Sequence, residues 1–160
     1  MKLDRRDVQI LALLQANGRM SSTELSEAVS LSVSPCWKRV RRLEKAGLIR
    51  GYSASLFAAD FDLVELLVTI ELHSHLAADF RIFEAYMKQK AEVVDLWAVG
   101  GGLDYIARFA SENLSQYQAL MDEILDAEVG LHRYFTYVVT KTIKQGQLPI
   151  SLLEKKIDRI

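Results

Sequence analysis

The stretch Leu31 to Gly47, LSVSPCWKRVRRLEKAG, determines how the rest of the chain is interpreted. Its apolar residues recur at spacings of three and four, the pattern of one face of an α-helix. They are Val33, Cys36, Val40 and Leu43. The polar and basic residues of the opposite face are Ser34, Lys38, Arg41, Arg42 and Lys45. Small polar residues at the N-terminal end of a helix, followed by cations on its outer face, are typical of a recognition helix in the DNA major groove.

The position of each residue along this helix predicts its role. The first turns of a recognition helix approach base edges, and later cations contact phosphates. The predicted DNA-binding residues are therefore Ser34, Pro35, Trp37, Lys38, Arg41 and Arg42. Two placements of Trp37 stay open, one on DNA and one packed against the first helix. Arg39 lies nearer the apolar face and is equally compatible with a structural ion pair to an acid of the first helix.

Two shorter helices are predicted before this one. Asp4 can cap a helix by accepting from the amide near Asp7, and the helix runs to an Asn17-Gly18 stop. The capping box Ser21-Ser22-Thr23-Glu24 starts the next helix. Leu48 to Leu56 has the roughly alternating pattern of a strand or wing. Three helices and a strand predict a winged helix-turn-helix domain over residues 1–56.

Charge divides the chain into two parts. Residues 1–51 contain ten Lys/Arg against five Asp/Glu, whereas residues 52–160 contain ten against sixteen. The basic first part is thus expected to bind a polyanion, double-stranded DNA. The acidic part is expected to bind partner proteins or small ligands. We expect a cytoplasmic, nucleoid-associated protein without membrane contact, because no apolar run approaches the ~20 residues of a membrane span and the N-terminus lacks a signal-peptide core. The single cysteine, Cys36, excludes an intramolecular disulfide.

After a predicted linker at residues 57–65, the apolar period changes to two. Leu66, Val68, Ile70 and Leu72 alternate with more polar residues, which predicts a strand. The elements expected next are a helix capped by Asp79, strands at 93–99 and 104–110 joined by Gly100-Gly101-Gly102-Leu103, a helix from Asn113 and a strand at 131–143. The order βαββαβ over residues 66–149 predicts a ferredoxin-like domain and an α+β chain.

Such a sheet has helices on only one face. Its other face carries apolar and aromatic residues, and in so short a chain the expected cover is a second copy of the same sheet. We therefore expect an obligate homodimer. Residues 150–160 are expected to form a short C-terminal helix, because Ser151 and Glu154 make a capping box and Ile150, Leu153, Ile157 and Ile160 repeat at helical spacing. The helix can pack on its own domain or join subunits.

No catalytic or metal-binding constellation is recognised in the sequence. His73 and His75 share one strand face, but no third metal ligand is evident and His132 stands alone. The cluster Gly100 to Gly102 lies between two strands, so it is not a nucleotide-binding loop. It is either a tight turn or a ligand site. We expect neither an enzyme nor a bound cofactor.

Several segments together resemble the leucine-responsive/asparagine-regulator (Lrp/AsnC) family of bacterial and archaeal transcription regulators. The resemblance covers about residues 3–149. Its segments are Leu3-Asp4, Asp7, Ile10-Leu11, Asn17-Gly18-Arg19, Glu24-Leu25, Leu31-Ser32, Pro35-Cys36, Arg39-Val40, Leu43-Glu44, Gly47, Ile49, Gly51-Tyr52, Gly101, Asp104-Tyr105, Tyr117 and Thr136 to Val139. The resemblance implies a DNA-binding regulator that dimerises through paired sheets and often assembles into tetramers or octamers.

The resemblance also implies a small effector, commonly an amino acid, at the turn between the second and third strands. Exposed amides of a glycine-rich bend can receive a carboxylate, and an aspartate can receive an ammonium. The implied effector-binding residues are Gly101, Gly102, Leu103, Asp104 and Thr136. The chain departs from the family at Gly102, where an acid is frequent. It also lacks the usual Asn-Pro linker turn and extends past Pro149.

Two alternatives to an effector-responsive regulator stay open. One is a DNA-organising protein that wraps DNA without an effector. The other is an enzyme, because siroheme decarboxylases resemble the same two-domain fold. Such an enzyme usually has a degenerate recognition helix, and the helix at Leu31 to Gly47 is intact.

Overall fold

The computed structural model describes residues 2–157, without the side chains at positions 154, 156 and 157. The chain forms two compact units. The first, here called the helical unit, contains the chain up to Ser55 and the segment from Lys144 onward. The second, the sheet unit, is formed by Leu56–Ile143. No helix within residues 2–157 is long and apolar enough to cross a membrane.

The helical unit begins with α1 (Arg5–Ala16), α2 (Ser22–Ala28) and α3 (Val33–Lys45). The predicted Asp4 cap and the predicted Ser21–Glu24 capping box are confirmed, and Asp4 and Asp7 also form a capping box. The Asp4 carboxylate accepts from the Asp7 amide at 2.9 Å, and the Asp4 amide donates to the Asp7 carboxylate at 3.0 Å. Ser21 and Glu24 exchange the equivalent bonds at 3.2 and 2.7 Å. The starts of α1 and α2 are therefore fixed by side chains three residues away.

The three helices enclose a small apolar core. Its buried members are Ile10, Leu25, Val29, Cys36, Val40 and Leu43. The prediction that Val33 also points inward is wrong, because its side chain is 45% exposed. Helical side chains lean towards the N-terminus, so the first residue of α3 projects past the packed turn.

The segment after α3 differs from the prediction. Residues 48 and 49 form a bend, and residues 50–56 have no regular secondary structure. The predicted strand is absent because a strand needs a hydrogen-bonded neighbour and no described segment pairs with this one. Tyr52 holds the segment to the helices. Its ring lies over Gly18, where an added Cβ would lie 3.3 Å from the ring, and its hydroxyl donates to Glu44 at 3.1 Å.

The end of the chain returns to the helical unit as α6 (Ile150–Ile157), which packs against α1. The Gln15 side chain donates to the Leu148 carbonyl at 3.1 Å, and the Gln147 side chain donates to the Gln15 carbonyl at 3.0 Å. A cavity of about 320 Å³ lies beside α6, lined in part by Leu11, Leu14 and Leu153. The predicted Glu154 cap and the apolar positions Ile157 and Ile160 lie outside the described side chains.

The sheet unit contains a four-stranded antiparallel sheet in the order β2-β3-β1-β4. Its elements are a 3-10 turn (Ala58–Phe61), β1 (Val64–Leu72), α4 (Ala77–Met87), β2 (Val93–Ala98), β3 (Tyr105–Ser111), α5 (Leu114–Asp126) and β4 (Leu131–Val138). This order is the predicted βαββαβ ferredoxin-like arrangement. β1 begins two residues inside the predicted linker.

One face of the sheet packs on both helices. The alternating residues Leu66, Val68, Ile70 and Leu72 are buried against Phe83, Met87, Met121 and Ile124 of α4 and α5. α5 begins after Asn113 as predicted, and the Asn113 side chain caps it by accepting from the Gln116 amide at 2.9 Å. Asp79 does not cap α4, which begins earlier, after Leu76. β4 ends at Val138 instead of residue 143, since its partner β1 begins at Val64.

The opposite face of the sheet, here called the open face, has no cover within the described chain. It exposes Leu67 (39%), Trp97 (47%), Phe135 (50%) and Tyr137 (57%). These lie in register across the sheet, with Leu67 opposite Tyr137 and Thr69 opposite Phe135. At its centre Arg108 donates to Asp95 and to Glu65, both at 2.7 Å.

Candidate functional site

The first candidate site is the outer face of α3. Ser32 is the N-cap, and Pro35 occupies the third helical position. The first amides of a helix have no intrahelical acceptor, so proline costs no hydrogen bond there. Ser34 and Pro35 are exposed. α3 thus presents its first turn to solvent without losing a backbone hydrogen bond of the helix.

The inner face of α3 fixes the direction of its outer face. Cys36, Val40 and Leu43 are each at most 1% exposed and pack on α1 and α2. Burial raises the pKa of the Cys36 thiol. The cysteine is therefore a neutral core residue, as its apolar spacing indicates.

Cations occupy the outer face in two turns. Lys38, Arg41 and Lys45 are exposed and follow the spacing three and four of a single helix face. Within residues 2–157, no hydrogen bond or ion pair engages the ammonium of Lys38 or Lys45. The guanidinium of Arg41 lies 5.3 Å from the centre of the Trp37 ring. This surface can attract phosphate.

Trp37 has an environment compatible with both placements that the sequence left open, and its contact with DNA stays a prediction. Its side chain is 43% exposed, and its ring lines a cavity of about 180 Å³ with Leu14 of α1 and Tyr52. One part of the indole therefore packs on the helical unit. The other part lies on the outer face, where it contacts Arg41.

Arg39 and Arg42 have a different environment from Lys38 and Arg41. Both donate to Asp7 of α1, Arg39 at 2.8 Å and Arg42 at 2.7 and 2.6 Å, and Arg39 also reaches Asp4 at 2.6 Å. These hydrogen bonds raise the pKa of Arg39. Arg39 thus makes the ion pair with the first helix that the sequence left as one alternative. Arg42, predicted to contact phosphate, is held by the same acid although its side chain is 47% exposed.

The second candidate site is the turn between β2 and β3. Gly101 has φ +129°, a conformation that side chains rarely allow, and a Cβ at Gly100, Gly101 or Gly102 would meet no atom within 4 Å. A cavity of about 260 Å³ lies beside this turn. It is lined by Glu71, Leu72, His75, Gly101, Gly102, Leu103 and Asp104. The structure therefore brings four of the five predicted effector-binding residues together.

Asp104 is already engaged by its own chain. One carboxylate oxygen accepts from the Leu72 amide at 2.8 Å, and the other lies 3.1 Å from His75 Nε2. The Asp104 side chain is 13% exposed, whereas His75 is 71% exposed. An ammonium ligand at Asp104 must therefore share or replace the His75 contact.

Thr136, the fifth predicted residue, lies elsewhere on the sheet. It pairs with Val68 in the register of β1 and β4, and its hydroxyl is 2.5 Å from the Tyr117 hydroxyl. Burial raises the pKa of Tyr117, so this phenol stays protonated and can donate to the threonine. In this chain Thr136 joins β4 to α5.

Sequence reasoning missed Glu71 and His75 as walls of this cavity. Glu71 is also bound by Arg133 at 2.8 Å. The available signal was sequence position, since Glu71 is near the end of β1 and His75 lies three residues after that strand. The prediction that His132 stands alone is wrong, since its ring centre is 4.3 Å from that of His73. Within residues 2–157 no group of three or more His, Cys, Asp or Glu is arranged to hold a metal ion.

Comparisons with known proteins agree with both halves of the structure. A family described as winged helix-turn-helix DNA-binding matches residues 3–50, and the Lrp/AsnC ligand binding domain matches residues 65–149. The chain is 49% identical to the transcriptional regulatory protein DoeX of Halomonas elongata over 95% of this chain and 97% of that protein. It is 39% identical to the leucine-responsive regulatory protein of Escherichia coli over 90% and 88% of the two chains.

Solved structures show the same architecture. A transcriptional regulator of Neisseria meningitidis, determined as its L-Met complex, has a TM-score of 0.85 at 30% identity and covers 95% of this chain and 99% of its own. An AsnC family regulator of Agrobacterium tumefaciens has a TM-score of 0.84 at 27% identity, covering 94% and 99%. The chain therefore belongs to the Lrp/AsnC family of transcriptional regulators.

Proposed function

We propose that this protein is a sequence-specific DNA-binding transcription regulator that responds to an amino acid or related small metabolite. The observation that carries the proposal is the outer face of α3, where exposed Lys38 and Arg41 flank the half-exposed ring of Trp37. In this arrangement Ser34, Pro35, Trp37 and Lys38 approach base edges, and Arg41 contacts phosphate. The family membership supports the same assignment.

The protein acts as a homodimer or a larger assembly of dimers. Support comes from the open face, whose exposed aromatic side chains on β2 and β4 have no cover in the described chain. Two such faces packed together bury these side chains from water, and a two-fold axis presents two copies of α3 to one DNA duplex. One α3 alone reads too few base pairs for a specific site.

The effector is held beside the glycine turn, with Gly101, Gly102, Leu103 and Asp104 as its contacts. The cavity of about 260 Å³ has room for a small metabolite, and the open backbone of the turn can receive a carboxylate. The L-Met complex of the Neisseria meningitidis regulator supports an amino acid as the chemical class. Effector binding changes DNA affinity, and by linkage DNA changes effector affinity by the same factor.

The test combines binding site and effector in one design. Genome-wide binding of the protein in its cytoplasmic setting is measured with and without added amino acids, and the strongest sites are then titrated with purified protein in gel shifts. The proposal expects discrete sites and a change in affinity or complex size with at least one amino acid. Broad binding that no amino acid alters would indicate a DNA-organising protein instead.

A second measurement addresses the enzyme alternative. Purified protein is mixed with siroheme and followed by absorbance. The proposal expects no specific binding and no decarboxylation. Stoichiometric binding with turnover would contradict the assignment as a regulator.

A further inference from the structure

Asp7 is a buried carboxylate in the middle of the proposed DNA-binding unit. Only 1% of it is exposed, although it lies in the first turn of α1. Its oxygens accept one N–H from the Asp4 backbone and three hydrogen bonds from the guanidinium groups of Arg39 and Arg42. A buried carboxylate without partners lowers stability strongly. The two arginines of α3 supply the hydrogen bonds and positive charge that the Asp7 carboxylate of α1 requires.

The charges in this cluster cancel. Asp4 and Asp7 carry two negative charges, and Arg39 and Arg42 carry two positive ones. Arg39 bridges both acids, and Arg42 binds Asp7 through one terminal nitrogen. The cluster therefore adds no net charge to the attraction between α3 and a phosphate backbone.

α3 contains five cations, and the cluster divides them by direction. Arg39 and Arg42 are three residues apart and share the side of α3 that faces α1. Lys38, Arg41 and Lys45 lie on the exposed side. Two cations thus hold the helix in place, and three remain for DNA.

We propose that Asp7 is a positioning residue for DNA binding: it fixes the rotation of α3 on α1 and withholds Arg39 and Arg42 from phosphates. This inference rests on the proposed DNA-binding function. It assigns Arg42 to the support of α3 and leaves Arg41 and Lys45 as the phosphate contacts, beside Lys38 at the base edges. Its consequence is measurable, because the salt dependence of binding counts the phosphates that a protein neutralises.

The experiment is a salt titration of binding to a random-sequence duplex, measured by fluorescence anisotropy of a labelled strand. Arg41→Ala should make the slope of log affinity against log salt shallower by about 0.9 for each protein subunit bound to the duplex. Arg42→Ala should leave this slope at the wild-type value. Asp7→Asn should make the slope steeper by about 0.9 for each subunit on the duplex, because the Arg42 guanidinium that Asp7 holds is then free to contact a phosphate.

A charge-matched control distinguishes the effect of a freed guanidinium on the slope from the effect of a disturbed fold. The double variant Asp7→Asn/Arg42→Gln keeps the cluster neutral and removes the guanidinium that Asp7→Asn releases, so its slope should return to the wild-type value. Circular dichroism at the assay temperature checks that each variant is folded. If Asp7→Asn does not fold, the comparison of the slopes of Arg41→Ala and Arg42→Ala still tests the inference.

Two results would overturn the inference. One is an Arg42→Ala slope as shallow as that of Arg41→Ala, which would make Arg42 a phosphate contact. The other is a folded Asp7→Asn variant with the wild-type slope, which would limit Asp7 to stability. Failure of the DNA-binding function itself is distinguishable, since wild-type protein would then not bind the duplex even at low salt.

Discussion

At the scale of single residues, what the sequence could predict depends on how far apart the partners lie. The boxes Asp4/Asp7 and Ser21/Glu24 act over three residues, and a short motif reveals them completely. The approach of His75 to Asp104 depends on how β1 and β3 are paired, and no local pattern encodes it. Arg42 carries the same charge as Arg41, and only the packing of α3 on α1 separates their environments.

Asp104 illustrates a residue with two roles. Asp104→Ala leaves the Leu72 amide without its acceptor, so it should lower the free energy of unfolding by about 1–3 kcal/mol. Asp104→Asn keeps an oxygen at that position and should lose less stability. Urea unfolding followed by circular dichroism measures both variants. Equal losses for the two variants would mean that the bond to Leu72 contributes nothing.

The Thr136–Tyr117 contact gives a second prediction at this scale. Thr136→Val and Tyr117→Phe remove the same hydrogen bond, and each should lower the free energy of unfolding by about 0.5–1.5 kcal/mol. The double variant should cost little more than either single change. Strict additivity of the two single costs would show that the two hydroxyls do not interact.

At the scale of elements, regular periodicity was the most reliable guide. The alternation of Leu66 to Leu72 gave the buried face of β1, and the spacing of Cys36, Val40 and Leu43 gave the inner face of α3. The winged helix-turn-helix family matches residues 3–50 as predicted, but the strand predicted at residues 48–56 is absent. A strand depends on a paired neighbour, and the described chain supplies none to these residues. The docking of α6 on α1 joins residues more than 130 positions apart, which helical spacing alone cannot locate.

The α6 contact can be tested with neighbouring leucines. Leu153 is partly buried beside α1, whereas Leu152 is 56% exposed. Leu153→Ala should lower the free energy of unfolding of the helical unit by about 1–2 kcal/mol. Leu152→Ala should change it by less than about 0.5 kcal/mol. Hydrogen exchange of α1 amides reports the effect on this unit alone, and equal protection in both variants would contradict the packing.

At the scale of the whole molecule, the two-domain α+β organisation could be predicted, because charge and periodicity both change between residues 51 and 66. An uncovered sheet face could be predicted as well. The structure adds the composition of that face, aromatic at β2 and β4 with Arg108 bound between Asp95 and Glu65. This exposed face is the surface that we propose a second copy of the same sheet covers.

Subunit assembly can be tested with a charge on the open face. Phe135→Glu places a carboxylate where two faces are proposed to meet, and it should shift the protein to monomers in analytical ultracentrifugation. Ile82→Glu is the matched control, since Ile82 is 56% exposed on α4 and should leave the assembly unchanged. If both variants remain assembled, the subunit contact lies elsewhere on the protein.

The proposal that the outer face of α3 binds DNA can be tested by a single DNA-binding titration. Wild-type protein and the Lys38→Ala/Arg41→Ala variant are compared by anisotropy on the strongest genomic site, with matched oligomeric state. Two lost phosphate or base contacts are expected to weaken binding by about 2–6 kcal/mol in total, a loss of at least tenfold in affinity. Wild-type affinity in the folded, oligomeric variant would contradict the account.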